Sequence, residues 1–409
     1  MRGALGTILL IASALLSANT QAATLRVEPG QSVQAALDRA RDGDVVLLAP
    51  GKHRANAILR RRVKLRGPGA TLSAGGKGTV VRVEGAFATV EDLALRDGGK
   101  DLGAPDACAY VAKSATGAVL RRLDIRCPGF GVWVHATLGA QVLDSKITGS
   151  MEGNRPERGN AIQLFDGSKL MVRGNQVWGG RDGIYLSATD DSSIIDNRVE
   201  QTRYGVHYMY SHRNTVRGNH VLKSQAGFAL MQSRDIIAEY NVATGNIEGG
   251  FFLRDVEDCQ VNNNRSENNG MGLFFYGSTT NHLEHNLIRH NEVGVKIWGG
   301  SIDNEVTKNA FIGNRNQVFY VAAEDLVFGE SGAGNFWGDY MGWDQNGDGF
   351  GDRPYRVDSF TTNLVHRFPS AVLLMRSPAL ELLSHLEQRL PLLRVPTVVD
   401  KRPLVSTDL

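Results

Sequence analysis

Apolar residues alternate with variable ones in a short stretch that returns at a nearly fixed step along this chain. Gly183, Gly205, Gly227, Gly250, Gly272 and Gly294 each open such a stretch, at steps of 22, 22, 23, 22 and 22 residues. The first and third residues after the glycine are apolar every time: Ile184 and Leu186, Val206 and Tyr208, Phe228 and Leu230, Phe251 and Leu253, Leu273 and Phe275, Val295 and Ile297. Ala161, Ile162 and Leu164 carry the pattern one turn upstream. The second and fourth residues vary widely. This alternation, rich in β-branched and aromatic side chains, predicts a strand with one buried face. A second short strand is marked by Val172, Ile194, Val216, Ala238, Val261, Leu283 and Val306. An asparagine follows it in each repeat: Asn175, Asn197, Asn219, Asn241, Asn264, Asn286 and Asn309. Asn, Gly, Asp and Ser between the strands supply the turns.

Such a period describes a solenoid in which each coil touches only its neighbours. About 22 residues with two or three short strands is one coil of a right-handed, single-stranded parallel β-helix, so the predicted class is all-β. The equivalent asparagines are expected to stack inside a turn, each amide bonding to the coils above and below. The L-x-x-L-x-L pattern of leucine-rich repeats is absent. The β-helix domain is assigned to residues 23–335, with coils from about residue 45 and the most regular ones from about 160. Val33, Ala36, Leu37 and Ala40 share one face of a short helix that would cover the open end of the first coil. Gly149–Gly159 reads as an inserted loop. Residues 336–409 form an appendix: an Asp/Gly-rich loop, then Ala379, Leu382, Leu383, Leu386 and Leu390 at helical spacing, ended by Pro391. That helix either docks on a partner or caps the last coil, as every solenoid end needs.

Residues 1–22 read as a secretory leader. Arg2 precedes an apolar run, Leu5 to Leu16, and Thr20-Gln21-Ala22 offers a cleavage site. The run is too short to span a membrane, so an exported, soluble protein is expected. The formal charge is +2. This balance argues against a nucleic-acid partner. Cys108 and Cys127 lie 19 residues apart, close to one coil, so a disulfide between neighbouring rungs fits an exported protein. Cys259 sits where other coils carry Ser192, Asn214, Asn281 and Asn304, and reads as a buried structural thiol rather than a metal ligand.

Two constellations carry possible metal chemistry. Asp344, Asn346, Asp348 and Asp352, with the Phe350 carbonyl, place oxygens at alternating positions, as a calcium loop does. The likeness ends at Tyr355, where an EF-hand has its bidentate glutamate, and a Gly-rich turn accounts for the same residues. The second appears once the repeats are aligned. Met209 and Met231 share the outward fourth position of adjacent coils, and His207 lies two residues before Met209 on the same side. Adjacent strands are roughly 4.8 Å apart, so the thioethers should be neighbours. Two thioethers and an imidazole suit Cu(I), His212 in the following turn being a further donor. Outward placement predicts a shallow, open site. The same residues also belong to a surface ladder, Phe165, Ser187, Met209, Met231, Arg254, Tyr276 and Trp298, that can simply lie under a packed tail.

Polysaccharide cleavage needs acid–base groups converging on one outward face. The remaining outward positions hold Gln163, Tyr185, His207, Ala229, Phe252, Phe274 and Lys296, none acidic. The expectation is therefore no enzyme. G-x-x-x-x-G-K-[ST] is also missing, so any nucleotide use belongs to a partner.

The combination resembles a known family. The leader, the coils with G-V-H-Y-M-Y-S-H (205–212) and G-F-A-L-M-Q-S (227–233), then G-N-F-W-G-D-Y (334–340), D-Q-N-G-D-G-F-G-D-R-P-Y (344–355) and the tail V-V-D-K-R-P-L (398–404) resemble the NosD family. These are periplasmic β-helix proteins of nitrous-oxide reductase maturation. The resemblance implies a non-enzymatic periplasmic role alongside an ABC-type ATPase with its membrane permease and a copper-chaperone lipoprotein, supplying copper to apo nitrous-oxide reductase. It supplies no ligand list for Met209, Met231, His207 and His212. The alternatives are an exported polysaccharide lyase or epimerase on a β-helix, and a passive scaffold that never touches metal.

Overall fold

The computed structural model describes residues 22–321, 326–329, 332–357, 377–378, 382 and 397–407. The leader, apart from Ala22, and the C-terminal helix, apart from Leu382, lie outside the described residues. The chain winds into a right-handed parallel β-solenoid of about 14 turns. A regular coil holds three strands, as in Tyr204–Met209, Thr215–Arg217 and His220–Leu222. Twelve parallel strands, from Ala57–Leu59 to Asn316–Val321, stack into one face. The two shorter strands of each coil stack into the other two faces. These are joined near the start by Thr89–Arg96 and Val119–Arg126, which bend at Asp92 and Arg122 with φ of 53° and 50°. Register follows the repeat: Val206 pairs with Ile184 on one side and Phe228 on the other.

The inward column Ile162, Ile184, Val206, Phe228, Phe251, Leu273 and Val295 is almost completely buried, and so is its partner column from Leu164 to Ile297. Each such side chain contributes roughly 1.5–3 kcal/mol on burial. The neighbouring stacks make this gain additive along the axis. At the start, the helix Val33–Arg39 is capped by Ser32, whose Oγ accepts the Ala35 N–H. It buries Val33, Ala36 and Leu37. Its Gln34 side chain accepts the Ile58 N–H at 2.8 Å and donates to the Ile58 carbonyl at 3.3 Å, so it pairs with the backbone of the first strand of the twelve.

A buried asparagine ladder runs along one corner. In each rung the Oδ1 of the next asparagine accepts both the backbone N–H and the Nδ2–H of the one before. Asn197 thus donates to Asn219 at 3.0 and 2.9 Å, and Asn219 to Asn241 at 3.0 and 3.1 Å. The same Nδ2 reaches back to a carbonyl of the preceding coil, as from Asn219 to Ile194 at 2.7 Å. The ladder continues through Asn264, Asn286, Asn309 and Asn335. It ends on Asp400, whose Oδ2 accepts the Asn335 N–H at 2.6 Å and the Trp337 indole N–H at 2.9 Å.

Asp400 belongs to a strand that returns from the far end of the sequence. Val398–Asp400 pairs parallel with Leu326–Phe328 and antiparallel with Tyr355–Arg356. Phe336–Trp337 pairs with Ala310–Phe311, so the solenoid sheet runs on past residue 335. The Trp337 ring is stacked between Phe311 and Tyr355, 4.4 Å from each. The motif around Trp337 and the terminal V-V-D therefore close the last coil together.

Candidate functional site

The twelve-strand face carries a group of side chains that alternation sends outward but that is not exposed. Strands Tyr204–Met209 and Ala226–Met231 pair with Tyr204 beside Ala226, His207 beside Ala229, and Met209 beside Met231. The two thioether-bearing residues are thus direct neighbours across the sheet. Small residues at Ala226, Ala229 and Gly249 leave room that larger neighbours fill. Ala226, Ala229, Met231 and Phe252 form an apolar cluster separate from the solenoid core, with Tyr204, Met209, Met271 and Phe274 packed against it. Met231 is only 9% exposed and His207 4%. The open, shallow site expected from the alternation is therefore closed over, because bulky residues from rungs on both sides lean across the small ones. Met271 is a third thioether at this cluster; its place at the start of its strand kept it out of the sequence alignment of outward positions.

His207 lies between two tyrosines. The Tyr185 ring stacks on it at 4.5 Å and the Tyr204 ring meets it edge-on at 4.8 Å. Its Nδ1 is 3.2 Å from Oδ2 of Asp182. Asp182 has no exposed surface. Arg203 grips its carboxylate with two hydrogen bonds, at 2.8 and 2.7 Å. Burial pushes the Asp182 carboxyl up, but the bonds from His207 and Arg203 outweigh it and hold the carboxyl down at about 2. His207 Nε2 is buried with no hydrogen-bond partner among the described residues. Sequence reasoning missed Asp182. Its column carried no signal: it lies directly before Gly183, and the residue directly before Gly205 is Tyr204.

His212 is placed differently. It sits at the next corner, where its Nδ1 accepts the Arg234 N–H at 3.2 Å. Cys108 and Cys127 are joined in a disulfide, with Cα atoms 5.8 Å apart. Cys259 is buried and donates to the Glu257 carbonyl at 3.3 Å; burial pushes its thiol up to about 12, which disfavours the thiolate a metal would need. In the Asp-rich loop the oxygens face their own backbone. Asp344 accepts the N–H groups of Gly347, Asp348 and Gly349, Asn346 that of Asp348, Asp348 that of Phe350, and Asp352 that of Gln345. The Gly349 N–H, with those of Gly347 and Asp348, holds the Asp344 carboxyl below its usual range. This is an Asx-type turn system. Among the described residues no three His, Cys, Asp or Glu side chains converge as a metal site.

Fold and site together define a parallel β-solenoid that carries, on one sheet face, an in-register methionine pair in an apolar cluster and, on the same strand as Met209, a histidine whose Nε2 has no hydrogen-bond partner among the described residues. Comparison with known proteins narrows the class. A family described as "Periplasmic copper-binding protein (NosD)" matches residues 143–342, which include every residue of this group. A Pseudomonas aeruginosa protein named "Probable ABC transporter binding protein NosD" is 38% identical over 407 residues, covering 94% of this chain and 92% of the relative. Its namesake from Stutzerimonas stutzeri is 32% identical over 380 residues, covering 88% and 86%. Among solved structures, the A-module of the Azotobacter vinelandii mannuronan C-5 epimerase AlgE6 matches with a TM-score of 0.53 at 16% identity, covering 74% of this chain and 94% of that one. It shares the fold alone. The chain belongs to the NosD family.

Proposed function

We propose that this chain is a non-catalytic periplasmic protein that takes up Cu(I) and passes it on in the service of an ABC-type transporter. On this reading the membrane permease, its cytoplasmic ATPase and a copper-chaperone lipoprotein are its partners, and apo nitrous-oxide reductase receives the metal. The observation that carries the reading is the in-register pair Met209 and Met231, with His207 two residues before Met209 on the same strand and its buried Nε2 without a hydrogen-bond partner among the described residues. Uncharged soft donors in a shielded apolar pocket favour Cu(I) over Zn(II). Family membership supports it: the family is described as copper-binding, and the relatives are named as binding proteins of an ABC transporter.

The test is competition for Cu(I) against a chromophoric chelator. Met209→Leu with Met231→Leu nearly conserves volume. The double variant is expected to fold as the parent does while losing Cu(I) affinity and copper loading of the reductase. Parent affinity and loading in that variant would make the pair a surface ladder. Polysaccharide cleavage has little to work with at this site: Asp182 is the carboxylate beside His207, and Arg203 occupies it. Reproducible cleavage or epimerisation of uronic-acid polymers by the pure protein would reverse the ranking.

A further inference from the structure

We propose that Asp182, clamped by Arg203, is the positioning residue that fixes His207 in its Nδ1–H tautomer and so presents the Nε2 lone pair as a ligand. The inference rests on the reading that His207 meets Cu(I), and goes beyond it by naming what makes the imidazole competent.

The geometry carries it. An ionised carboxylate only accepts, so at 3.2 Å the proton of that hydrogen bond sits on Nδ1. A doubly protonated ring would bury a second N–H at Nε2, where no acceptor stands among the described residues. A proton on Nδ1 and a bare Nε2 match these donors and acceptors. The clamp is unusually complete. Arg203 takes one carboxylate oxygen with Nε and the other with Nη2, and Arg181 stands 3.8 Å away. Such a fork allows the carboxylate one orientation. Tyr185 on the ring face and Tyr204 at its edge leave the imidazole little room to turn. A carboxylate that orients a ligating imidazole through its other nitrogen is a recurring device of metal sites, and losing it typically costs ~10–100-fold in affinity.

The test has two arms on the full-length chain. Nitrogen-15 NMR of the metal-free protein at neutral pH reads the tautomer directly. The expected result is a protonated Nδ1 and a pyridine-like Nε2 at His207. A proton on Nε2 overturns the inference, with no variant needed. In the second arm, Asp182→Ala removes the acceptor of the Nδ1–H altogether, so that this side no longer selects the tautomer. Cu(I) alone, competed against a chelator, is expected to bind ~10–100-fold more weakly, with the NMR signature moving toward Nε2–H. A folded Asp182→Ala protein with the parent tautomer and parent affinity overturns the proposal. His207→Gln separates it from the copper reading. If that variant binds Cu(I) as the parent does, the copper reading of this imidazole falls, while the tautomer result still decides the role of Asp182.

Discussion

Replacing Asn219 in the middle of the ladder should be far more costly than its small size suggests. Its Oδ1 is the acceptor for the Asn197 N–H and for the Asn197 Nδ2, and its own Nδ2 serves Ile194, Arg217 and Asn241. Alanine leaves the buried Asn197 N–H with nothing in its place, at about 1–3 kcal/mol. The remaining lost bonds add roughly 0.5–1.5 kcal/mol each, reduced where a group keeps another partner. Asn197 Nδ2, for example, still reaches the Val172 and Ile195 carbonyls. The total is roughly 3–5 kcal/mol, or about two to four powers of ten in an equilibrium constant. Asn219→Asp is expected to be no better, although it is isosteric. It keeps the acceptor but turns a carboxylate oxygen toward the Ile194, Arg217 and Asn241 oxygens that the amide N–H groups now satisfy. Amide hydrogen exchange reads this locally: protection at Asn197 should fall by two to four powers of ten, with the neighbouring coils affected and the distant ones less so. Exposed Arg217→Ala is the control. A loss under about 1 kcal/mol in Asn219→Ala, with Asn197 still protected, would refute the view that the ladder holds the coils in register.

Other outcomes follow from the closed end, the disulfide and the loop. Burial raises the Asp400 carboxyl above its ordinary 3.8, its bonds from Trp337, Asn335 and Arg402 offsetting only part of this. The folded state therefore holds the proton more tightly, and this site's stability is full below the unfolded pKa and lost as pH rises through the folded one. Asp400→Asn keeps the acceptor without the charge, so its melting temperature should match or exceed the parent's at pH 7 and lack that slope between pH 4 and neutrality. Asp400→Leu should lose roughly 2–4 kcal/mol by orphaning the Asn335 and Trp337 donors; parent-like melting would show that the returning strand does not seal the last coil. Reducing Cys108–Cys127 opens a 19-residue link, for which a loss of about 3 kcal/mol is expected by chemical denaturation. Equilibrium dialysis at millimolar calcium tests the Asp344–Asp352 loop: no bound calcium leaves it a self-satisfied turn.

How much was legible in the sequence depended on whether a contact repeats. Val206 and Phe228 show themselves as inward because five other coils carry an apolar residue in the same column. Asn197 and Asn219 reveal a ladder by recurring 22 residues apart. The pairing of Met209 with Met231 followed from the same arithmetic. What did not repeat stayed hidden. Asp400 meets Asn335 across 65 residues of sequence, and only the fold brings them together. The burial of Met231 depends on Phe252 and Tyr204 leaning over Ala226 and Gly249, a size pattern across rungs rather than along one strand. Asp182 sits in a column whose other members are Asn160, Tyr204, Ala226, Gly249, Met271 and Val293, so nothing in its neighbours marks it as charged.

The site is also where the solenoid departs from its own rule. Along most of the sheet, inward residues are apolar and buried while outward ones meet water. At coils 182–231 an aspartate without exposed surface and a nearly buried histidine stand on the outward side. A buried ion pair of this kind adds little net stability, since removing two charges from water offsets most of their attraction. An orphaned imidazole nitrogen costs stability outright. Packing alone would place apolar residues there, as it does one coil on at Ala229. Departures of this sort concentrate where a protein binds something. A rigid β-solenoid suits the task, because the inward columns and the asparagine ladder fix the backbone beneath the site. On the proposed copper reading, access for the metal comes through the side chains that cover the cluster. Tyr204, Met209, Met271 and Phe274 are the partly buried residues packed against the cluster. Phe274→Ala is therefore expected to speed Cu(I) exchange while leaving the coil register intact, measured by stopped-flow chelator capture; an unchanged exchange rate would mean that the metal, if bound here, enters by another side.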